Sequence, residues 1–216
     1  MKDYMDLRKE VHAYALKMFH AGLVTGSSGN VSARVPDEDN RYLLTATSVS
    51  YDELTPEQIV VVDGEGDLVL GENAPSFECP IHLAIYQARP DVGAVFHTHS
   101  VYSSVLAVLR KPIPPLIEEL VPYAGGEVIV AEYAQSGSDA LARNAVAALT
   151  GRSAILLANH GNLCVGNNLR KAFNLCCLVE RAAQIYVEAL KMGQVRLLPE
   201  EVIAAEKEMY EIVRDM

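Results

Sequence analysis

Long apolar segments, sequence repeats and paired CxxC cysteines are all missing from this 216-residue chain. No apolar run approaches the roughly 18 residues that a membrane-spanning helix needs, and the N-terminal segment MKDYMDLRKEVH lacks the apolar stretch of a signal peptide. Basic residues are also few, because 18 Lys and Arg against 28 Asp and Glu give a formal net charge of −10. This charge argues against nucleic acid or an anionic membrane as the main partner. We therefore expect a cytoplasmic protein that binds neither.

The four cysteines do not indicate a disulfide framework or a structural zinc site. Cys176 and Cys177 are adjacent within a helical pattern, and Cys79 and Cys164 are isolated, so reduced thiols in the core are the expected state. The length suits one domain with a substantial core, and neither low-complexity tracts nor linkers divide the chain. We expect a single domain over residues 1–216.

Helical periodicity alternates with short apolar runs along the chain, which is typical of an α/β protein. Helices are predicted over 3–21, 79–89, 100–109, 138–149, 169–191 and 199–214. Strands are predicted over 41–46, 58–63, 66–71, 94–97, 125–133 and 153–161, and the segment TGSSGNVSAR (25–34) is interpreted as a loop. Because some strands form hairpins and others are separated by helices, the pattern predicts a sheet with helices on both faces.

Two histidines stand at the end of one predicted strand. His97 and His99 follow the run GAVF, and residues two apart on a strand project from the same face. The run SAILLA places His160 at the exit of a second strand. Three imidazoles that meet at strand ends can bind one zinc ion and leave a position open for substrate. The alternative is a His-x-His that arises by chance on a solvated strand end.

An acidic residue at the start of a predicted helix is the fourth candidate. Glu78 in PSFECPIH could be a metal ligand or a general base. It could also be merely a negative charge at a helix N-terminus, where the helix dipole favours it. His82 lies one turn later on the same face, and we expect it in the core or behind the site. His12 and His20 on the first helix are expected to pack or to face solvent.

The motifs SSGNVSAR, PSFE…H, HTHS and NHG, in this order, resemble the class II aldolase/adducin family, in particular its L-fuculose-1-phosphate aldolase-like branch. The resemblance covers nearly the whole chain. It implies one class II aldolase-type α/β domain, with a central mixed/antiparallel sheet between two helical layers (αβα). It also implies one zinc ion per subunit, held by His97, His99, His160 and Glu78, with Glu78 as the catalytic acid/base. Related 4-epimerases carry Asp at the place of Glu78, so glutamate favours the aldolase branch.

The resemblance also assigns a phosphate pocket to three short segments. Its residues in this chain are Gly29, Asn30, Thr47, Ser48 and Ser76. Two positions depart from the family pattern, since Ser48 replaces a glycine and Phe77 replaces a second serine. We expect the pocket to hold a phosphate, and the alternative is a carboxylate or an uncharged substrate end that lies against the Phe77 ring.

The acid that protonates the leaving group has no clear match in the chain. The family uses a loop tyrosine whose place falls at Glu118 or Glu119 in LIEELVPY, and Tyr123 lies at a different offset. Tyr210 resembles the mobile tail that covers the site in the family, although a tyrosine on a helix face more often packs.

Taken together, these features imply a zinc-dependent aldolase that cleaves a small ketose, expected to be a sugar phosphate, through a metal-stabilised enediolate. Decarboxylation, dehydration and 4-epimerisation on the same scaffold pass through similar species and stay open. An adducin-like interaction module is expected to lack metal ligands, whereas all four are present. The family assembly implies a homotetramer with sites at subunit interfaces.

Overall fold

A single eight-stranded sheet organises the chain, of which the computed structural model describes residues 3–216. The strands are β1 Asn30–Arg34, β2 Arg41–Thr45, β3 Ile59–Asp63, β4 Leu68–Leu70, β5 Ala94–Thr98, β6 Val130–Ala131, β7 Ala154–Leu157 and β8 Gly161–Gly166. Their order across the sheet is β4-β3-β2-β1-β5-β8-β7-β6. Neighbouring strands are antiparallel except β6 and β7, which are parallel. The sheet is therefore mixed and mainly antiparallel, as expected.

Helices surround this sheet. They are α1 Met5–His20, α2 Cys79–Ala88, α3 Val101–Val108, α4 Val121–Ala124, α5 Asp139–Ala148, α6 Leu169–Met192 and α7 Glu200–Asp215, with two 3₁₀ turns at Pro56–Gln58 and Glu118–Leu120. Within residues 3–216, none of the helices combines the length and the apolarity that a bilayer crossing requires.

Two separate apolar cores lie on the two faces of the sheet. One core joins α1, α3 and α6 to one face, and the other joins α2 and α5 to the opposite face. Successive strand residues alternate between the two cores: Val95 belongs to the α2/α5 side and Phe96 to the α1/α6 side. This alternation follows from the period of two along a strand. The expected three-layer αβα arrangement is confirmed.

The predicted helices and hairpins are confirmed within a few residues of their ends. The turn between β3 and β4 is the predicted hairpin, and Ser138 caps α5 by accepting a hydrogen bond from the Leu141 N–H at 3.2 Å. The strand predicted over 125–133 is much shorter, because only Val130 and Ala131 pair with β7. It lies at the edge of the sheet, where it has a strand partner on one side only.

Two strands were absent from the sequence prediction. The second half of the predicted loop 25–34 is β1, which lies near the centre of the sheet between β2 and β5. The other is β8, which follows His160 and pairs with both β5 and β7. The loop interpretation of 30–34 was wrong: the Gly- and Ser-rich residues before Asn30 suggested a loop, and the polar side chains that β1 directs toward α2 gave no sign of its burial.

Candidate metal centre

Four side chains from three parts of the chain converge beside the C-terminal ends of strands β5 and β7. Glu78 directly precedes α2, His97 lies in β5, His99 follows that strand, and His160 lies in the turn between β7 and β8. Their candidate ligand atoms all lie within 4.8 Å of one another. The antiparallel pairing of β5 with β8 and of β8 with β7 places the C-terminal ends of β5 and β7 together. The fold therefore brings all four sequence-predicted ligands to one point.

The ring nitrogens of this cluster face one another at close range. His97 Nδ1 lies 2.8 Å from the Asn162 carbonyl oxygen and must donate to it. The other ring nitrogen of His97, Nε2, lies near His99 Nε2 (2.9 Å), His160 Nε2 (3.2 Å) and Glu78 Oε2 (3.2 Å). Three imidazole nitrogens and a carboxylate oxygen that converge in this way form a donor set typical of a metal site.

A divalent metal ion fits this donor set. Zinc–nitrogen bonds of roughly 2.0–2.1 Å in tetrahedral geometry place ligand nitrogens about 3.3–3.4 Å apart. The separations of 2.9 and 3.2 Å between the imidazole nitrogens are close to that spacing. Neutral imidazole and carboxylate ligands suit zinc and several other divalent transition metals. The residues present thus fit the metal that the motifs imply, without identifying which metal it is.

Burial prepares the ligands for metal binding at neutral pH. Desolvation, with the neighbouring rings, lowers the pKa of His99 to about 3 and that of His160 to about 4. Desolvation alone would raise the pKa of the Glu78 carboxyl, but its contacts with His97, with His160 and with the Ser136 hydroxyl lower it below its usual range. The His99 and His160 imidazoles are therefore neutral and the Glu78 carboxyl is ionised, which are the forms that bind metal.

A buried polar network behind β5 fixes the orientation of the His97 ring. The Asn162 side chain is fully buried; its Oδ1 accepts from Thr98 Oγ1 at 2.7 Å, and its Nδ2 donates to Ser103 Oγ at 3.0 Å. The same residue supplies the carbonyl that accepts from His97. Partners of this kind set the tautomer and direction of a ligand histidine. Sequence reasoning missed Asn162, which follows the NHG motif directly.

A carboxylate from α6 closes this network. Glu180 accepts from the backbone N–H groups of Tyr102 (2.8 Å) and Ser103 (2.9 Å), and from the Ser100 hydroxyl (2.7 Å). It thereby caps the first turn of α3, where the backbone donors lack helical partners. Glu180 was also missed, although a carboxylate four residues after the buried Cys176 on α6 is a signal of a buried polar contact.

Two donors hold the Glu78 carboxylate. Asn30 Nδ2 donates to Oε2 at 2.9 Å, and Ser136 Oγ donates to Oε1 at 2.7 Å. The two oxygens also face His97 and His160, at 3.2 and 3.3 Å. Ser136 lies in the loop between β6 and α5, and no motif in the sequence singled it out. These contacts fix both the position and the ionised form of Glu78.

The predicted phosphate residues border the metal cluster. Gly29 and Asn30 lie at the start of β1, where Asn30 pairs with His97 across the sheet. Gly29 has φ +72°, and a Cβ there would lie 2.6 Å from the His97 carbonyl oxygen, so only glycine fits. The Asn30 side chain is turned toward Glu78 and His82 rather than toward an open pocket.

The other predicted phosphate residues lie on two segments that bond to each other. The Ser76 N–H donates to the Thr45 carbonyl at 3.2 Å, and the Thr47 N–H donates to the Ala74 carbonyl at 3.0 Å. Ser48 keeps a left-handed conformation, with φ 59°, at the place where the family has glycine. A left-handed conformation costs a residue with a side chain some strain. Phosphate binding by these residues stays a prediction.

Phe77 lies beside Glu78 with an exposed ring. Its side chain is 68% exposed, and it covers Gly137 so closely that a Cβ at that glycine would lie 2.2 Å from Phe77 Cε1. Gly137 is the neighbour of Ser136, which bonds Glu78. The ring therefore forms an apolar surface at the rim of the metal cluster.

The candidate leaving-group acids Glu119 and Tyr210 bond to residues outside the metal cluster. Glu119 forms an exposed ion pair with Arg181 on α6, and Glu118 is exposed. Tyr210 is buried, and its hydroxyl lies 2.9 Å from Ser153 Oγ. Ser153 precedes β7 whereas His160 follows it, so Tyr210 packs at the opposite end of that strand from the metal cluster.

Comparisons with known proteins agree with this geometry. A family model described as "Class II Aldolase and Adducin N-terminal domain" matches residues 9–187. The chain belongs to the class II aldolase/adducin family.

Individual relatives within the family are similar over most of the chain. The 5-deoxy-D-ribulose 1-phosphate aldolase of Bacillus thuringiensis is 36% identical over 90% of both chains. The L-fuculose phosphate aldolase of Escherichia coli O6:H1 is 36% identical over 94% of both chains. A solved structure of L-fuculose 1-phosphate aldolase superposes with a TM-score of 0.90 at 38% identity, covering 95% of this chain and 96% of that one.

Family membership and the complete donor set lead to one conclusion. An adducin-like module without chemistry has no need of three histidines and a glutamate within 4.8 Å of one another. The protein is a metal-dependent carbon–carbon lyase of the class II aldolase type.

Proposed function

We propose that the protein is a zinc-dependent aldolase that cleaves a small ketose 1-phosphate into a phosphorylated ketone and an aldehyde. The observation that carries the proposal is the complete Glu78, His97, His99 and His160 cluster. Two relatives with similarity over at least 90% of this chain are named for sugar-phosphate substrates, 5-deoxy-D-ribulose 1-phosphate and L-fuculose phosphate. Both names support a phosphorylated ketose here.

The protein residues divide the work of this reaction. When bound, the metal supplies Lewis-acid neutralisation of the charge that develops on the substrate oxygens beside the cleaved bond. Imidazole binds a metal in its neutral form, so the three histidine ligands would leave the positive charge of the metal undiminished. Glu78 is ionised and held by Asn30 and Ser136, so its carboxylate is placed to move a proton to or from the carbon that becomes the enediolate.

The segments that border the metal cluster bind the substrate in this proposal. The backbone of the Gly29 turn, with the hydroxyls of Thr47, Ser48 and Ser76, supplies donors for a terminal phosphate. The exposed Phe77 ring adds an apolar surface at the same rim. We infer that this pocket holds the phosphate with fewer hydroxyls than the family pattern provides.

A cleavage assay tests the proposal. Wild-type enzyme loaded with zinc should release dihydroxyacetone phosphate from 5-deoxyribulose 1-phosphate or L-fuculose 1-phosphate, and the matching unphosphorylated ketoses should react poorly. His99→Ala should lose both metal and activity, whereas Glu78→Gln should keep the metal and lose turnover. His12→Ala, on α1, is the matched histidine control and should retain both.

The outcome of this assay separates the alternatives. Products that form without release of a phosphorylated ketone would assign the site to decarboxylation, dehydration or epimerisation instead. Equal metal content in wild type and His99→Ala would remove the basis of the proposed site.

We also infer a homotetramer with active sites at subunit interfaces. The support is a face of α3 that starts two residues after His99 and carries four exposed apolar side chains: Val101, Val105, Val108 and Leu109. Apolar faces of this kind commonly mark protein interfaces. Light scattering should give the mass of four chains, and Val105→Glu should lower it; a monomeric wild type would contradict the assembly.

A further inference from the structure

A line of buried side chains runs from the metal cluster into the interior on the α2 side of the sheet. From Glu78, the contacts lead to Asn30, then to His82, then to Ser32 and Tyr86. His82 Nε2 is hydrogen-bonded to Asn30 Oδ1, His82 Nδ1 lies 2.6 Å from Ser32 Oγ, and Ser32 Oγ lies 2.7 Å from the Tyr86 hydroxyl. The four residues beyond Glu78 are each no more than 2% exposed.

Chemistry fixes the direction of every hydrogen bond in this line. An ionised Glu78 only accepts, so Asn30 must present its Nδ2 to the carboxylate and its Oδ1 to His82. His82 must then donate from Nε2, which leaves Nδ1 of the neutral ring as an acceptor. Ser32 therefore donates to Nδ1 and accepts from Tyr86. All four hydrogen bonds run toward Glu78.

No competing arrangement satisfies these groups. Among the described residues, every buried side-chain nitrogen and oxygen has a partner, and reversing one bond would set two donors or two acceptors face to face. Burial lowers the pKa of His82 to about 3, so the ring stays neutral over the physiological range. The line therefore has one stable polarity, with the carboxylate as its terminal acceptor.

We propose that His82 is a positioning residue for Glu78, because it donates to Asn30 Oδ1 and so holds the Asn30 amide with its Nδ2 on the carboxylate. The inference rests on the proposed acid/base role of Glu78. Without the donor at His82, Asn30 Oδ1 loses its buried partner, and the Asn30 amide is free to turn away from the carboxylate. Glu78 would lose one of its two fixed donors and its position at the metal.

Two substitutions at His82 separate this role from simple packing. Glutamine places its amide nitrogen near the position of Nε2 and keeps the donor to Asn30, whereas asparagine reaches only the position of Nδ1. His82→Asn should weaken Co²⁺ affinity and lower kcat, each by roughly 10–100-fold, which is the usual effect of removing a partner of a metal ligand. KM should change little. His82→Gln should restore most of the affinity and of kcat. His12→Asn is the matched control, since His12 makes one hydrogen bond to the Leu54 carbonyl and should alter stability only.

The visible absorption bands of the Co²⁺-loaded proteins provide a reading that needs no substrate. We expect the bands to shift in His82→Asn and to return in His82→Gln. If the wild type cleaves no sugar phosphate but these spectra still differ, the proposed reaction fails and the positioning role stands. Identical spectra and affinities in wild type and His82→Asn, or equal losses in both variants, would overturn the positioning role.

A measurement on the tautomer keeps the inference testable if the His82 variants do not fold. Nitrogen-15 spectra of the His12→Asn protein should contain a buried histidine with a protonated Nε2 and an accepting Nδ1, the opposite of the state that His97 needs for its Nδ1 bond. If the buried ring that is not a metal ligand carries its proton on Nδ1, the bonds do not run toward Glu78 and the inference is wrong.

Discussion

Replacement of Gly29 by alanine should disturb the metal site through a single added methyl group. A Cβ at Gly29 would lie 2.6 Å from the His97 carbonyl oxygen and 2.7 Å from Val24 Cγ1. The backbone oxygen belongs to a ligand residue in the middle of the sheet and has little freedom to retreat. The clash must therefore move β5 or open the loop that carries Gly29.

The size of the effect follows from two separate costs. A left-handed conformation at φ +72° costs a residue with a side chain roughly 1–2 kcal/mol, and overpacking of a rigid site adds about 1–3 kcal/mol. Gly22 provides the matched control, because its φ is +71° and a Cβ there meets nothing within 4 Å. Gly22→Ala should thus show the conformational cost alone, about 1–2 kcal/mol.

Urea unfolding of the metal-free proteins and competition with a chromophoric chelator measure the two consequences. The free energy of unfolding of Gly29→Ala should be lower than that of Gly22→Ala by at least about 1 kcal/mol. Metal affinity should fall in Gly29→Ala only, because only that substitution presses on His97. Equal unfolding free energies and equal affinities in the two variants would refute the close approach of Gly29 to β5.

Two further predictions concern pH and the phosphate pocket. The folded-state pKa values of His82 and His99 are about 3 and that of His160 is about 4, below the value near 6.5 of an unfolded chain, so the unfolded state binds more protons in between. Stability of the metal-free protein in urea should therefore be full above about pH 6.5 and fall from there toward about pH 3; a loss that begins only below about pH 4.5 would reflect ordinary carboxyl groups instead. Phe77→Ser restores a hydroxyl at the rim, and inorganic phosphate should then compete with substrate at lower concentration than in the wild type. Weaker competition would instead support an apolar substrate end against the ring.

The sequence was sufficient to predict most of the fold, because local patterns match the environments that each element meets. Strand β3 reads as IVVVD because both of its faces are buried under helices. Helix α5 was recognised from its apolar spacing, and the structure shows Ser138 as its cap. The spacing of His97 and His99 also placed two imidazoles on one side of a strand end, and the structure has their Nε2 atoms 2.9 Å apart.

Strand β1 could not be recognised in this way. Its face toward α2 carries Asn30, Ser32 and Arg34, a polar set that would normally indicate contact with solvent rather than burial. In the structure these side chains bond to α2 and its flanking residues: Asn30 to Glu78, Ser32 to His82, and Arg34 to the Tyr86 carbonyl at 2.8 Å. A polar strand is stable at the centre of a sheet only when another element supplies its partners, and the sequence of the strand does not show those partners.

The sequence alone determined which groups could bind a metal and that they stand at strand and helix ends. Only the tertiary structure decided that Glu78 and His160, which are 82 positions apart in the chain, face each other at 3.3 Å. It also decided that Asn30 holds the carboxylate instead of pointing into an open anion pocket. The reason is physical: a local pattern reports the burial and direction of a side chain, whereas the identity of its partner depends on how strands distant in sequence pair.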